Sequence, residues 1–136
     1  MILSDELIDI MHANVRGWLT NSAELTAAIR MTEPKPVLVC VNETFLTKAI
    51  ESISIEGYSV VGRRDRKGQF GGGVAIFVRK EFAERVTLVM ESEVAERLWC
   101  VIHSDQGPFA VCSWYRPPAR GGTASIDSFA SECDEI

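Results

Sequence analysis

Pro36-Val37-Leu38-Val39-Cys40-Val41-Asn42-Glu43 is the stretch that decides how this chain folds. Its apolar, mostly β-branched run lies between a proline and a polar pair, the pattern of a short strand buried on both faces. Upstream, Ile8 to Ala13 reads as a first strand ended by the polar Asn14, and Gly17 lets the backbone turn. A helix follows, with Asn21 as N-cap, Glu24 three residues on, and Leu25, Ala28 and Ile29 sharing one face through about Met31. Pro34 and Pro36 close that segment. Strand, helix, strand is the order of an α/β fold with a central sheet.

Downstream the chain becomes strand-rich. Thr47 to Ser54 is a candidate helical segment, and Gly57 to Gly62 reads as another strand. Gly71-Gly72-Gly73 then permits a tight turn, or the close approach of another backbone or a phosphate, before the strand Val74 to Val78. Val86 to Met90, Leu98 to Ile102 and Phe109 to Tyr115 are apolar and β-prone. Acidic residues and the turn material Asp105-Gln106-Gly107-Pro108 separate them, so antiparallel hairpins are expected. Pro117-Pro118 ends the last strand. Ile126, Phe129 and Ala130 lie on one face of a second helix, with Thr123 or Ser125 as its N-cap.

A length of 136 residues predicts one domain, and 46% hydrophobic with 24% charged residues is an ordinary globular composition. Cys40, Cys100, Cys112 and Cys133 show no Cys-x-x-Cys spacing, and His12 and His103 complete no zinc-ligand pattern. Most of these cysteines lie in apolar runs, where Cys acts as a small hydrophobe, so reduced thiols and an intracellular setting, nucleus or cytoplasm, are expected. No basic leader is visible, and no apolar run approaches the roughly 18 residues of a membrane span, so no membrane partner is expected. The net charge of -5 opposes non-specific nucleic-acid binding, but it is unevenly spread. Between Arg63 and Lys80, Arg63, Arg64, Arg66, Lys67, Arg79 and Lys80 face Asp65 alone.

Asn14 and Glu43 each follow a strand-like run. In α/β proteins the crevice at the carboxyl ends of strands is where ligands sit, so an amide and a carboxylate delivered there are candidate metal and phosphate ligands. Taken singly, each has a plainer reading: Glu43 as a solvated carboxylate, Asn14 as a turn former, Tyr115 as a half-buried sheet aromatic. The loop from Arg63 to Lys67 reads equally as a solvated turn or as a contact to a nucleic-acid backbone. Trp18, Trp99 and Trp114 read as packing residues.

His12-Ala13-Asn14-Val15-Arg16-Gly17, Val41-Asn42-Glu43-Thr44-Phe45-Leu46, Gly71-Gly72-Gly73-Val74-Ala75-Ile76 and Trp114-Tyr115-Arg116-Pro117-Pro118 follow one another along nearly the whole chain. Their order and spacing resemble the amino-terminal half of the endonuclease/exonuclease/phosphatase superfamily, and are most similar to the apurinic-type endonuclease domains of non-LTR retrotransposons. The resemblance implies a partial four-layered, DNase I-like α/β sandwich, with a mixed sheet, flanking helices and the second half missing. It also implies hydrolysis of a DNA phosphodiester with Mg²⁺ or Mn²⁺. Glu43 matches the metal-binding glutamate, Asn14 the asparagine at the metal and phosphate, and Tyr115 the active-site tyrosine. Arg64, Arg66 and Arg116 become candidate nucleic-acid contacts. The implied partners are DNA and either the carboxyl-terminal half of the domain or a reverse transcriptase region of a longer polyprotein.

The sequence departs from the family in containing neither the Gly-Asp-x-Asn segment nor the Asp-His pair that complete such sites. A base and a phosphate-stabilising histidine are each worth roughly 10² to 10⁴ in rate, so the chain by itself is expected to be inactive. The alternatives are a truncated or decayed copy that binds nucleic acid or a protein without catalysis, and a phosphatase of the same superfamily.

Overall fold

β2 (Leu38–Asn42) is buried at every position because strands flank it on both sides and layers cover both faces. It runs parallel to β1 (Ile10–Asn14) and antiparallel to β4 (Val74–Arg79). β3 (Tyr58–Arg64) pairs with the far side of β4, which gives a mixed four-stranded sheet in the order β1-β2-β4-β3. β5 (Val86–Glu91), β6 (Glu96–Ser104) and β7 (Gly107–Tyr115) form a second sheet of antiparallel hairpins, as their turn residues predict. The computed structural model describes residues 8–68, 70–117 and 123–136, with side chains in the last segment from 126 onward.

The alternation of side chains along β2 and β4 divides the interior into two cores. Leu38 and Cys40, with Val74, Ile76 and Val78, meet Leu98, Cys100 and Ile102 of β6 between the sheets. Val39, Val41, Ala75 and Phe77 point the other way, onto α1 (Trp18–Arg30), which brings Trp18, Leu25 and Ile29. Trp18 stacks on Phe77 with ring centroids 5.3 Å apart. Removing a side chain of this size from water contributes about 1.5–3 kcal/mol, so these two layers carry most of the stabilisation. On the outer face of the second sheet lies α2 (Thr123–Glu135), whose Phe129 stacks on both Trp99 and Trp114. The layers therefore run α1, first sheet, second sheet, α2. No helix among the described residues is long and apolar enough to cross a membrane.

The sheets are offset. β7 faces β2 and β4, while β3 faces β5 and β6, so β1 extends past the second sheet. Met11 and Ala13 pack toward α1, which leaves Ile10, His12 and Asn14 on the inter-sheet face, where they are exposed. Among the described residues β7 pairs with β6 alone as a strand, so no strand covers its other edge there.

Two local expectations need correction, and one short helix is new. The first helix starts at Trp18, not at Asn21, because the main chain caps it: Gly17 N–H donates to Glu43 O and Trp18 N–H to Thr44 O, each at 2.8 Å. Asn21 instead sits within the first turn and ties it back through its amide to Val15 O at 2.7 Å. Residues 47–54 form no helix; Ile50 and Ile53 lean on the α1-side core and Ile55 is buried in it, the last two at the two-residue interval of extended chain. Lys80–Arg85 forms a 3-10 helix, which buries Phe82 between the sheets' ends. The expected caps at Thr123 and Ser125 lie outside the described side chains.

Candidate functional site

Asn14 and Asn42 are register partners at the carboxyl ends of the parallel strands β1 and β2, so their side chains share the inter-sheet face. Strict alternation would send the next side chain, Glu43, toward α1. Glu43 escapes that alternation because its backbone is left-handed, with φ of 56°. Its carboxylate turns back and accepts a hydrogen bond from the Asn14 side-chain amide. Arg16 and Phe45 are also left-handed, at φ of 49° and 55°. Each such non-glycine residue costs roughly 1–2 kcal/mol, and strain of this kind gathers where a fold holds side chains for a task.

A lattice of main-chain bonds enforces this geometry. Val15 N–H donates to Asn42 O at 3.0 Å, which with the two capping bonds from Gly17 and Trp18 zips the β1–α1 loop to the segment carrying Glu43. From the other side Phe45 N–H donates to Gly72 O at 2.9 Å. Gly73 N–H donates to Glu96 Oε1 at 2.6 Å, and Glu96 Oε2 takes Arg66 at 3.2 Å. The triple glycine is thus used for close approach: a Cβ on Gly72 would overlap Glu96 Oε1 and one on Gly73 would overlap Thr44 Oγ1.

Tyr115 reaches the same end of the sandwich from the second sheet. It is the cross-strand partner of Glu96 and packs against the inter-sheet core. Its neighbour Trp114 accepts, at its main-chain oxygen, a hydrogen bond of 3.2 Å from the Asn42 side chain. The structure therefore brings Asn14 and Glu43 into direct contact and ties the residue before Tyr115 to Asn42, the residue before Glu43. Asn42 Oδ1 and Thr44 Oγ1, which bracket Glu43, are buried without a hydrogen-bond partner among the described residues.

The arginines fare differently. Arg64 is 7% exposed and its Nε donates to Ser92 O at 2.8 Å, so its guanidinium holds β3 to the turn after β5. Arg66 is committed to Glu96. Arg116 is exposed, with its guanidinium 5.9 Å from the centre of the Trp114 ring. Arg63, which the sequence left among the loop cations, is clamped by Asp65 at 2.8 and 2.9 Å and by Thr47 O at 3.0 Å.

With its N–H turned to Glu43, the Asn14 amide keeps its oxygen as a second hard donor beside the carboxylate. Among the described residues no group of three or more His, Cys, Asp and Glu could enclose a metal ion. The donor set is the sparse kind that Mg²⁺ uses when one or two protein oxygens are completed by water and a substrate phosphate. Glu96, Thr44 and the exposed Phe70 beside Phe45 were passed over in the sequence. The available signal for Phe70 was an aromatic flanked by glycine-rich, basic loop residues, where no core can receive it. Neither a protein-family model nor a curated protein matches this chain.

Proposed function

We propose that this end of the sandwich is the metal- and phosphate-binding part of a Mg²⁺- or Mn²⁺-dependent DNA phosphodiesterase of the DNase I-like class. The observation that carries the reading is the Asn14–Glu43 hydrogen bond, made possible by the left-handed backbone of Glu43. The layer order and the mixed first sheet support it, since the resemblance implies both.

In this reading Glu43 and the Asn14 amide oxygen hold the ion, which when bound would withdraw charge from a phosphoryl oxygen. The amide N–H fixes the carboxylate in one rotamer, so the donors are arranged before substrate arrives. Tyr115, whose neighbour Trp114 is bonded to Asn42, would offer its phenol as a hydrogen-bond donor for a phosphate oxygen. None of these three residues serves as the base for the attacking water, and the sequence holds no Gly-Asp-x-Asn or Asp-His. The chain by itself therefore binds the ion and phosphate without turning substrate over at an appreciable rate.

Mn²⁺ titration followed by electron paramagnetic resonance tests this. Binding by the wild-type chain that disappears in Glu43→Ala and weakens in Asn14→Ala is the expected result. Equal binding by the wild type and Glu43→Ala would overturn it. Nicking of supercoiled plasmid by the purified chain, lost in Glu43→Ala, would keep the metal site but refute the inactivity.

A further inference from the structure

A cleft of about 870 Å³ lies outside the Asn14–Glu43–Tyr115 group, between the loop after β2 and the loop joining β3 to β4. Phe70 stands in its wall, 75% exposed, with its ring centroid 5.5 Å from that of Phe45 and the planes at 51°. Phe45 is two residues beyond Glu43 and is itself held by the left-handed backbone and by Gly72. The aromatic pair is therefore anchored to the same segment that presents the carboxylate.

The charges of the cleft select among occupants. Arg63 is neutralised in place by Asp65, while Lys48 and Lys67 are exposed and Glu51 and Glu91 share the lining. Balanced charge does not make a track for a phosphate backbone, which requires an unopposed row of cations. An exposed aromatic face edged by lysine stems, with donors and acceptors around it, is instead the chemistry of an unpaired base: the ring stacks and the polar rim meets the base edge. The volume accommodates a nucleoside, and a base in a duplex would be closed to such stacking.

We infer that this cleft is a subsite for an unpaired nucleoside of a DNA strand, stacked on Phe70, next to the phosphate handled at Glu43. The inference rests on the phosphodiesterase reading for its choice of polymer, and its test separates the two. A short single-stranded oligonucleotide carrying 2-aminopurine is titrated into the full chain, with the fluorescence of the base and the anisotropy of an end label both recorded. Phe70→Ala is expected to weaken binding about tenfold, within the roughly 5- to 150-fold that one base–aromatic stack is worth, and to abolish the quenching of 2-aminopurine. Phe70→Trp is expected to retain both. Because the ring is mostly in solvent, neither variant disturbs the core, and Mn²⁺ binding stays at the wild-type level. Equal affinity of the wild type and Phe70→Ala, or duplex bound as tightly as single strand, would overturn the subsite. Should the metal reading alone be wrong, Mn²⁺ fails to bind while the Phe70-dependent quenching persists.

Discussion

Glu132 of α2 grips Arg97 of β6 with both carboxylate oxygens, Oε1 taking Nε at 2.8 Å and Oε2 taking Nη2 at 2.9 Å. Arg97 is fully buried, its guanidinium 4.6 Å from the centre of the Trp114 ring. The same carboxylate accepts the Trp99 indole N–H at 2.9 Å and the Ser92 hydroxyl at 2.6 Å. α2 is thereby fastened to the second sheet by a desolvated charge pair as well as by ring stacking. Glu132→Ala would strand the arginine without its counter-charge, at a cost of about 3–5 kcal/mol. Urea denaturation of the variant gives the figure directly; a loss below about 1 kcal/mol would show that the pair is replaceable.

The same carboxylate sets an acid limit. Burial raises its pKa, but the hydrogen bonds from Arg97, Ser92 and Trp99, together with the charge of Arg97, outweigh burial and hold it below the ordinary value. A carboxyl with a depressed folded-state pKa stabilises the fold above its unfolded pKa, and the contribution drains away as pH falls through the folded value. Melting temperature is expected to drop as pH is lowered below the usual glutamate range, and Glu132→Gln is expected to flatten that part of the curve. A wild-type profile no steeper than that of the variant would count against it.

Gly73 couples stability to the site. Its φ of 94° strains any L side chain, and an added Cβ has no room beside Thr44. Gly73→Ala is expected to cost about 2–4 kcal/mol. The shift also disturbs the segment through Thr44 and Phe45, so Mn²⁺ affinity falls together with stability. Calorimetry and the Mn²⁺ titration on one preparation check both.

Glu43 is expected to behave in the opposite way. Glycine at this position accepts the left-handed backbone freely, and relief of about 1 kcal/mol offsets the lost Asn14 hydrogen bond and the greater freedom of the unfolded chain. Glu43→Gly should match the wild type in stability to within about 1 kcal/mol while losing the ion. A variant that both unfolds early and fails to bind would mark the carboxylate as structural.

Thiol reactivity follows burial. Burial pushes Cys40 up to about 11 and Cys100 and Cys112 up to about 12, so these three carry almost no thiolate at neutral pH. Cys133 is exposed on α2. A disulfide reagent under native conditions should consume one thiol quickly, and Cys133→Ser should remove that phase. Fast reaction of a second thiol would mean that α2 lifts from the sheet.

Much of this architecture was readable in the residues. Val37 to Val41 announced a strand covered on both faces, and every later strand followed from apolar, β-prone runs between turn residues. Asn14 and Glu43 could be paired because both end strands of one sheet. The helix start could not be read, because the groups that cap it are carbonyls from Glu43 and Thr44, distant in sequence. Nor could the fate of the arginines: Arg64 and Arg66 look alike as letters, and only the tertiary positions of Ser92 and Glu96 show that both are spent within the protein. The Glu132 grip was equally invisible, since an acidic residue on a terminal helix gives no sign that a buried arginine waits beneath it.

The open border of β7 carries one more consequence. A bare strand border invites a visiting strand, and natural sheets blunt theirs with prolines or charges. Pro108 withholds a donor near the start of this strand, but the stretch from Phe109 to Tyr115 has no proline and no charge. Crowded preparations should therefore self-template along that stretch, and a lysine introduced there would keep them clear.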